Sequence, residues 1–196
     1  MLAATTNTHK LSEIAITMTH ISVKLKCLND YSGYPDVVED GKTFEENAKK
    51  KARAYFEYSG IPAFADDSGL VIPALNGEPG ILSARYAGKH ANYEDNNRLL
   101  IDKIKSVPED KREGKFVCTI CYVDKNYEKF ITGTCSGIIL DRLQGTEGFG
   151  YDPLFYVPEL GKTFAELPME EKNKISHRGR ALIQFQEFLK NKILDR

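Results

Sequence analysis

No run of apolar residues in this 196-residue chain approaches the roughly eighteen that a membrane-spanning helix needs. The first residues, Met1-Leu2-Ala3-Ala4-Thr5-Thr6-Asn7, also lack the charged region and apolar core of a secretory signal. Both absences point to the cytoplasm and exclude a membrane as partner. An excess of charge of one sign is missing too: 27 Lys and Arg stand against 28 Asp and Glu, a formal net charge of -1. A long nucleic acid would require a basic face, so none is expected as partner, whereas a small anionic ligand needs only a few placed cations. Cysteine is scarce, with Cys27, Cys118, Cys121 and Cys135. Cys118 and Cys121 have the spacing of zinc and redox sites. They lie in the strand-like segment Phe116 to Val123, where residues three apart face opposite ways, and no second pair or nearby histidine completes a metal set. Reduced, buried cysteines are the expectation. Repeats, low-complexity segments and breaks in composition are absent as well, so residues 1–196 read as one domain.

The hydropathy pattern alternates between helix and strand. Leu2-Ala3-Ala4 reads as a very short strand, followed by a polar turn and an apolar-periodic helix through Leu11, Ile14 and Met18. Thr43 with Glu46 forms a capping-box pattern, ahead of a stripe made by Phe44, Ala48, Ala52, Tyr55 and Phe56; Asn47 and Lys51 sit on a neighbouring polar face. Ile61 to Ala65 reads as a buried strand and Leu70 to Ile72 as its resumption. Asn92 with Asp95 starts another helix that runs until Pro108. Lys115 to Val123 and Tyr127 to Leu140 form a strand pair around Asp124-Lys125-Asn126, and Leu143 to Tyr156 is a glycine-rich loop. A short helix over Pro168 to Lys174 precedes a last one that buries Ala181, Leu182, Phe185, Phe188, Leu189 and Ile193. The order of elements predicts an α/β fold with a mixed sheet.

Four polar stretches interrupt this pattern. In Phe64-Ala65-Asp66-Asp67-Ser68-Gly69-Leu70 two carboxylates fall at the expected C-terminal end of a strand, where they form either a plain turn or a metal site. Thr5-Thr6-Asn7-Thr8-His9-Lys10 is a strand-to-helix turn that offers backbone N–H groups and one ammonium to a phosphate, or else a simple polar cap. In Gly148-Phe149-Gly150-Tyr151-Asp152-Pro153 an aromatic between glycines is a platform for a nucleobase, with Asp152 as acceptor; the alternative is a tight turn anchored in the core. Lys172, Ser176, His177 and Arg178 gather donors before the last helix, either as ligands for keto oxygens and phosphate or as a solvated helix start.

Taken together with Thr43-Phe44-Glu45-Glu46-Asn47-Ala48, Lys51-Ala52 and Gly80 with Ser83-Ala84-Arg85-Tyr86-Ala87-Gly88, these motifs occur in the order of the Ham1-like inosine triphosphate pyrophosphatases, which the chain resembles nearly end to end. The resemblance implies an elongated mixed sheet flanked by helices, with two lobes and an active-site cleft between them. It implies Mg2+-dependent hydrolysis of ITP, dITP and XTP to the monophosphate and pyrophosphate, by a homodimer. Carried over residue by residue, Thr5, Thr6, Asn7, Thr8, His9, Lys10 and Ser68 would hold the phosphates. Asp67 would be the catalytic carboxylate and a magnesium ligand, with Glu39 as the second; Asp36 and Asp40 compete for that place. Phe149, Gly150, Tyr151, Asp152, Lys172, His177 and Arg178 would bind the base. One departure is Thr6, where many relatives carry glycine.

Overall fold

In the computed structural model, which describes residues 1–20 and 23–194 (of residues 20, 193 and 194 the backbone only), the first elements are β1 (Leu2–Ala3), α1 (Thr8–Thr17), β2 (Lys26–Cys27) and α2 (Phe44–Ser59). They are followed by β3 (Ala63–Val71), α3 (Tyr93–Ile104), β4 (Glu113–Val123), β5 (Glu128–Ile139), β6 (Phe155–Val157), β7 (Lys162–Thr163), α4 (Met169–Ile175) and α5 (His177–Leu194). The sheet has the order β2-β1-β3-β4-β5-β6-β7. β1 lies parallel to β2 and β3, whereas β6 is antiparallel to β5 and β7, so the sheet is mixed as expected.

The largest difference from the sequence reading is β3. The carboxylates expected at the end of a short strand, or in a turn, lie inside one unbroken strand of nine residues. Asp66 and Asp67 are 6% and 9% exposed, so the turn reading is overturned. The strand is tolerated because cations on neighbouring helices neutralise both groups, a condition without which burying them would be prohibitive. Other corrections are local. Met18 lies in a 3-10 turn beyond α1, and the loop from Leu143 ends early because Phe155 and Tyr156 enter β6. Phe188 is only half-buried, and the side chain of Ile193 lies outside the described residues. Among the cysteines, Cys118, Cys121 and Cys135 are buried and Cys27 is half-buried; none is in a disulfide.

Helix starts follow the local chemistry. Asn92 and Asp95 complete a reciprocal capping box on α3, Asn92 Oδ1 accepting from Asp95 N at 2.9 Å and Asp95 from Asn92 N at 3.2 Å. On α2, Thr43 Oγ1 accepts from Glu46 N at 3.1 Å, but the Glu46 carboxylate takes the N–H of Lys42 instead of Thr43. The expected box is therefore displaced by one residue.

The chain divides into two units. The first comprises residues 1–67, 118–133 and 177–196. Ala3, Ile14, Met18, Phe64, Cys118, Ile120, Tyr122, Phe185 and Leu189 build one of its cores, while Leu2, Ala48, Ala52, Ala63, Ala65, Cys121 and Val123 build another. Cys118 and Cys121 thus enter different cores, as the strand period requires. The second unit, residues 68–117 and 134–176, has its own core around Leu70, Leu100, Ile104, Phe116, Tyr151, Phe155 and Phe164.

In the first unit the Lys192 ammonium pairs with the Asp124 carboxylate and lies 4.0 Å from the Tyr127 ring and 4.7 Å from Tyr122. Burial pushes the Asp124 carboxyl up, but Lys192, the Asn126 N–H and the Tyr122 hydroxyl outweigh it and bring it down to about 2. A carboxyl depressed in the folded state stabilises the fold above its ordinary range, and that stabilisation disappears as pH falls from about 4 to about 2. Lys192→Met is accordingly expected to lower Tm by about 3 °C at neutral pH, with the difference from wild type closing toward pH 2 in circular-dichroism melts. A pH-independent difference would contradict this.

Candidate active site

In a strand, adjacent side chains point to opposite faces. Asp66 therefore shares its side of β3 with Phe64, and Asp67 shares its side with Ala63 and Ala65, which belong to the two different cores of the first unit. The two carboxylates consequently meet different partners.

Asp66 Oδ2 receives Lys10 Nζ at 2.9 Å and Arg178 Nε and Nη2 at 3.3 and 3.2 Å. The remaining terminal nitrogen of Arg178, Nη1, pairs with Glu13, itself 2% exposed. Burial raises the Asp66 carboxyl, but Lys10, Arg178 and Lys51 together hold it well below the usual carboxylate range. Burial likewise disfavours the Arg178 cation, and Asp66 and Glu13 overcome it, so the guanidinium is held charged more strongly than usual. This is an ionised clamp tying α1, β3 and α5 together.

Asp67 faces α2. Its Oδ2 accepts from Asn47 Nδ2 at 3.2 Å, and its Oδ1 lies 3.4 Å from Lys51 Nζ. The same ammonium sits 2.7 Å from Glu39 Oε2, so Glu39 and Asp67 converge on one cation. Asp40, a competitor for the second carboxylate position, pairs with Lys50 instead, and Asp36 is exposed. Burial pushes Asp67 above the usual range, aided by Glu39 and only partly opposed by Lys51, Lys10 and the Asn47 amide. Two neighbouring carboxyls are thus displaced in opposite directions, the pattern by which acid–base roles are separated.

The turn before α1 is less open than expected. Asn7 caps the helix, its Oδ1 accepting from His9 N at 3.0 Å and Lys10 N at 3.2 Å, while Asn7 N donates to Thr5 Oγ1 at 3.1 Å. Two donors assigned to a phosphate are therefore already engaged by Asn7. Thr6, Thr8 and His9 are exposed, Thr5 is half-buried, and Ser68 follows Asp67 in β3, also half-buried.

In the second unit the loop residues form a cluster of their own. Asp152, 2% exposed, accepts with Oδ2 from Phe149 N at 2.8 Å and from Lys172 Nζ at 2.5 Å. Lys172 Nζ also lies 5.0 Å from the Phe149 ring centroid, and the exposed Tyr93 ring approaches Phe149 at 6.0 Å. Gly148 has φ +75°, and a side chain there would run into the Asp152 carboxylate, so glycine is needed for this turn to close on its acid. Gly150 offers its carbonyl to Asn97 Nδ2 at 3.0 Å. Tyr151 departs from its assignment: its ring is in the core, and its hydroxyl donates to the Ser83 carbonyl at 2.9 Å. Of the residues assigned to the base, Phe149, Asp152 and Lys172 thus come together here, whereas Arg178 belongs to the clamp on Asp66 and His177 opens α5, buried, beside it.

Sequence reasoning assigned no role to Glu13, Asn47 or Lys51. A signal was present for Asn47 and Lys51, which are four apart on α2, but none for Glu13, whose partner Arg178 is distant in sequence.

Fold and site together define an α/β protein whose sheet interior carries paired carboxylates balanced by lysine and arginine. The chain belongs to the Ham1 family, whose sequence profile matches residues 1–188. It is 49% identical over 190 residues to a protein of Geobacter sulfurreducens named dITP/XTP pyrophosphatase, covering 96% of each chain. It is 47% identical over 196 residues to one of the same name from Clostridium perfringens, again covering 96% of each. Among solved structures, the Staphylococcus aureus Ham1 protein superposes with a TM-score of 0.87 at 40% identity, over 97% of this chain and 98% of that one. A Ham1 protein from Coxiella burnetii gives 0.89 at 38% identity with the same coverage.

Proposed function

We propose that residues 1–196 act as one catalytic domain that hydrolyses the triphosphates of deaminated purines, dITP, XTP and ITP, to the nucleoside monophosphate and pyrophosphate. The observation that carries this reading is the convergence of Asp67 and Glu39 on a single cation, Lys51, beside a second lysine, Lys10, on the adjoining carboxylate. The names of the similar proteins supply the substrate class.

Among the described residues no group of three or more potential ligands gathers as a ready-made metal cage. Two converging carboxylates nevertheless suit magnesium, which takes hard oxygen donors, is commonly held by one or two carboxylates, and completes its shell with water and substrate phosphates. Asp67 and Glu39 would hold it, and its chemistry there is to neutralise phosphate charge and orient the α-phosphate. Asp67 accepts a proton from the attacking water as the water oxygen bonds to the α-phosphorus. The bond from that phosphorus to the bridging oxygen breaks, and pyrophosphate leaves with the electron pair. Asp66 is unsuited to share this task, being held ionised by Lys10 and Arg178. Thr5, Thr6, Asn7, Thr8, His9, Lys10 and Ser68 bind the phosphates. Phe149 stacks on the base, with Gly150 and Tyr151 shaping the loop, and Asp152, Lys172, His177 and Arg178 read the purine edge. Hypoxanthine and xanthine present a 6-keto oxygen to such donors, where adenine presents an amino group and leaves buried donors unsatisfied. The same reading makes the protein a cytoplasmic homodimer that clears deaminated purines from the nucleotide pool.

Pyrophosphate release from dITP, XTP, ITP, GTP and ATP in oxygen-18 water, with and without Mg2+, tests the proposal. Expected are Mg2+-dependent turnover of the first three, at least about 100-fold preference over ATP, and label in the monophosphate. Equal rates on all five would refute the selectivity, and label in pyrophosphate would refute attack at the α-phosphorus. No turnover on any would leave a nucleotide-binding module.

A further inference from the structure

Asn47 is 1% exposed on the first turns of α2 and makes two bonds that together determine which way its amide faces. Its Oδ1 accepts from the backbone N–H of Gly41 at 2.8 Å, and its Nδ2 donates to Asp67 Oδ2 at 3.2 Å. A backbone N–H can only donate and an ionised carboxylate can only accept, so neither end of the amide can be exchanged for the other. Gly41 lies two residues beyond Glu39. A Cβ on Gly41 would sit 2.6 Å from Asn47 Oδ1 and 2.8 Å from the Glu46 Cβ, closer than such contacts allow. The segment that carries Glu39 is therefore packed directly onto the Asn47 amide. One helical turn further, Lys51 bridges Glu39 to Asp67.

We infer that Asn47 is a positioning residue for the proposed reaction: its amide holds the Asp67 carboxylate in register with the Glu39–Gly41 segment, through one donor and one acceptor. This rests on the reading of Asp67 and Glu39 given above. Hydrogen bonds of this kind orient ligating and reacting carboxylates, and removing them typically costs 10- to 100-fold in metal affinity or activity. The side chain acts on the reaction only through the Asp67 carboxylate that it holds.

The test compares Asn47→Ala, Asn47→Asp and Asp67→Asn with wild type, in steady-state kinetics on dITP and in titration of Mn2+ followed by electron paramagnetic resonance, with folding checked by circular dichroism. Asn47→Ala is expected to lower kcat about 10- to 100-fold, to leave KM for dITP within about 3-fold, and to weaken Mn2+ binding about 10-fold or more. Asn47→Asp keeps an acceptor for the Gly41 N–H but removes the donor to Asp67. It should therefore also lose at least about 10-fold in kcat, whereas a residue that only anchors the Gly41 loop would be rescued by this change. Should Asn47→Ala fail to fold, the kcat of Asn47→Asp decides. The inference is overturned by wild-type kcat in Asn47→Asp, by wild-type kcat and Mn2+ affinity in Asn47→Ala, or by a loss confined to KM. Asp67→Asn separates the two levels. If it keeps wild-type turnover and Mn2+ binding, the reading of the carboxylate pair fails; if it loses both while the Asn47 variants keep both, only the role of Asn47 fails.

Discussion

Asp67→Asn is expected to reduce turnover of dITP by about 10^2- to 10^4-fold, the range that a positioned general base contributes, while leaving the melting temperature at neutral pH unchanged or higher. The second half follows from the sign of the carboxyl's displacement. Burial raises Asp67 above its ordinary range, so in the folded protein its ionisation is disfavoured. A group of this kind costs stability once pH exceeds its folded value, and the neutral isostere removes that cost. Loss of Lys51's contact to Asp67 is softened because Lys51 retains Glu39 at 2.7 Å. Activity and stability should therefore move in opposite directions, as they do where a site is built at the expense of the fold. Steady-state pyrophosphate release and thermal melts of the same preparation check both. Retention of more than about a tenth of wild-type kcat would remove Asp67 from its proposed role.

Arg178→Met, in contrast to Asp67→Asn, should bring a large loss of stability in addition to the loss of its proposed contact with the base. Its guanidinium is buried between Asp66 and Glu13, both nearly inaccessible. Removing it leaves Glu13 without its Arg178 contact and Asp66 with fewer cations, and breaking a buried pair from one side typically costs about 3–5 kcal/mol. For a chain of this length that corresponds to a Tm lower by about 10 °C. A second substitution, Glu13→Gln, added to Arg178→Met should recover part of the loss, since the two residues touch and their effects will not add. A single variant melting within about 2 °C of wild type would show that the clamp is dispensable.

Much of this site could be read in the chain because its motifs are local. Asn7, Thr43 and Asn92 do cap α1, α2 and α3, and the alternating pattern marked β4 and β5 closely. The glycine-rich loop does bring Phe149 and Asp152 together, and Lys172 reaches them from α4. What escaped was long-range. Nothing in the residues near Glu13 signals that it meets Arg178, 165 positions away, because that contact is made by the packing of α1 and α5. From the sequence, Asp66 and Asp67 read as one acidic pair at a strand end, in a turn or a metal site, because Asp, Ser and Gly favour turns. The strand period that separated Cys118 from Cys121 applies equally to them, but the burial of charge within a strand becomes intelligible only when Lys10, Lys51 and Arg178 are seen around it.

That separation has a consequence for how this stretch of chain tolerates change. Because one peptide link divides the clamp from the proposed base, a one-residue deletion between Ala63 and Asp66 would carry Asp67 into the place beside Arg178, push Asp66 back to the place of Ala65, and leave no carboxylate opposite the amide of Asn47. Length in this segment is therefore constrained more tightly than composition: side chains lining either face can drift separately, yet an insertion or deletion of a single codon strikes both at once.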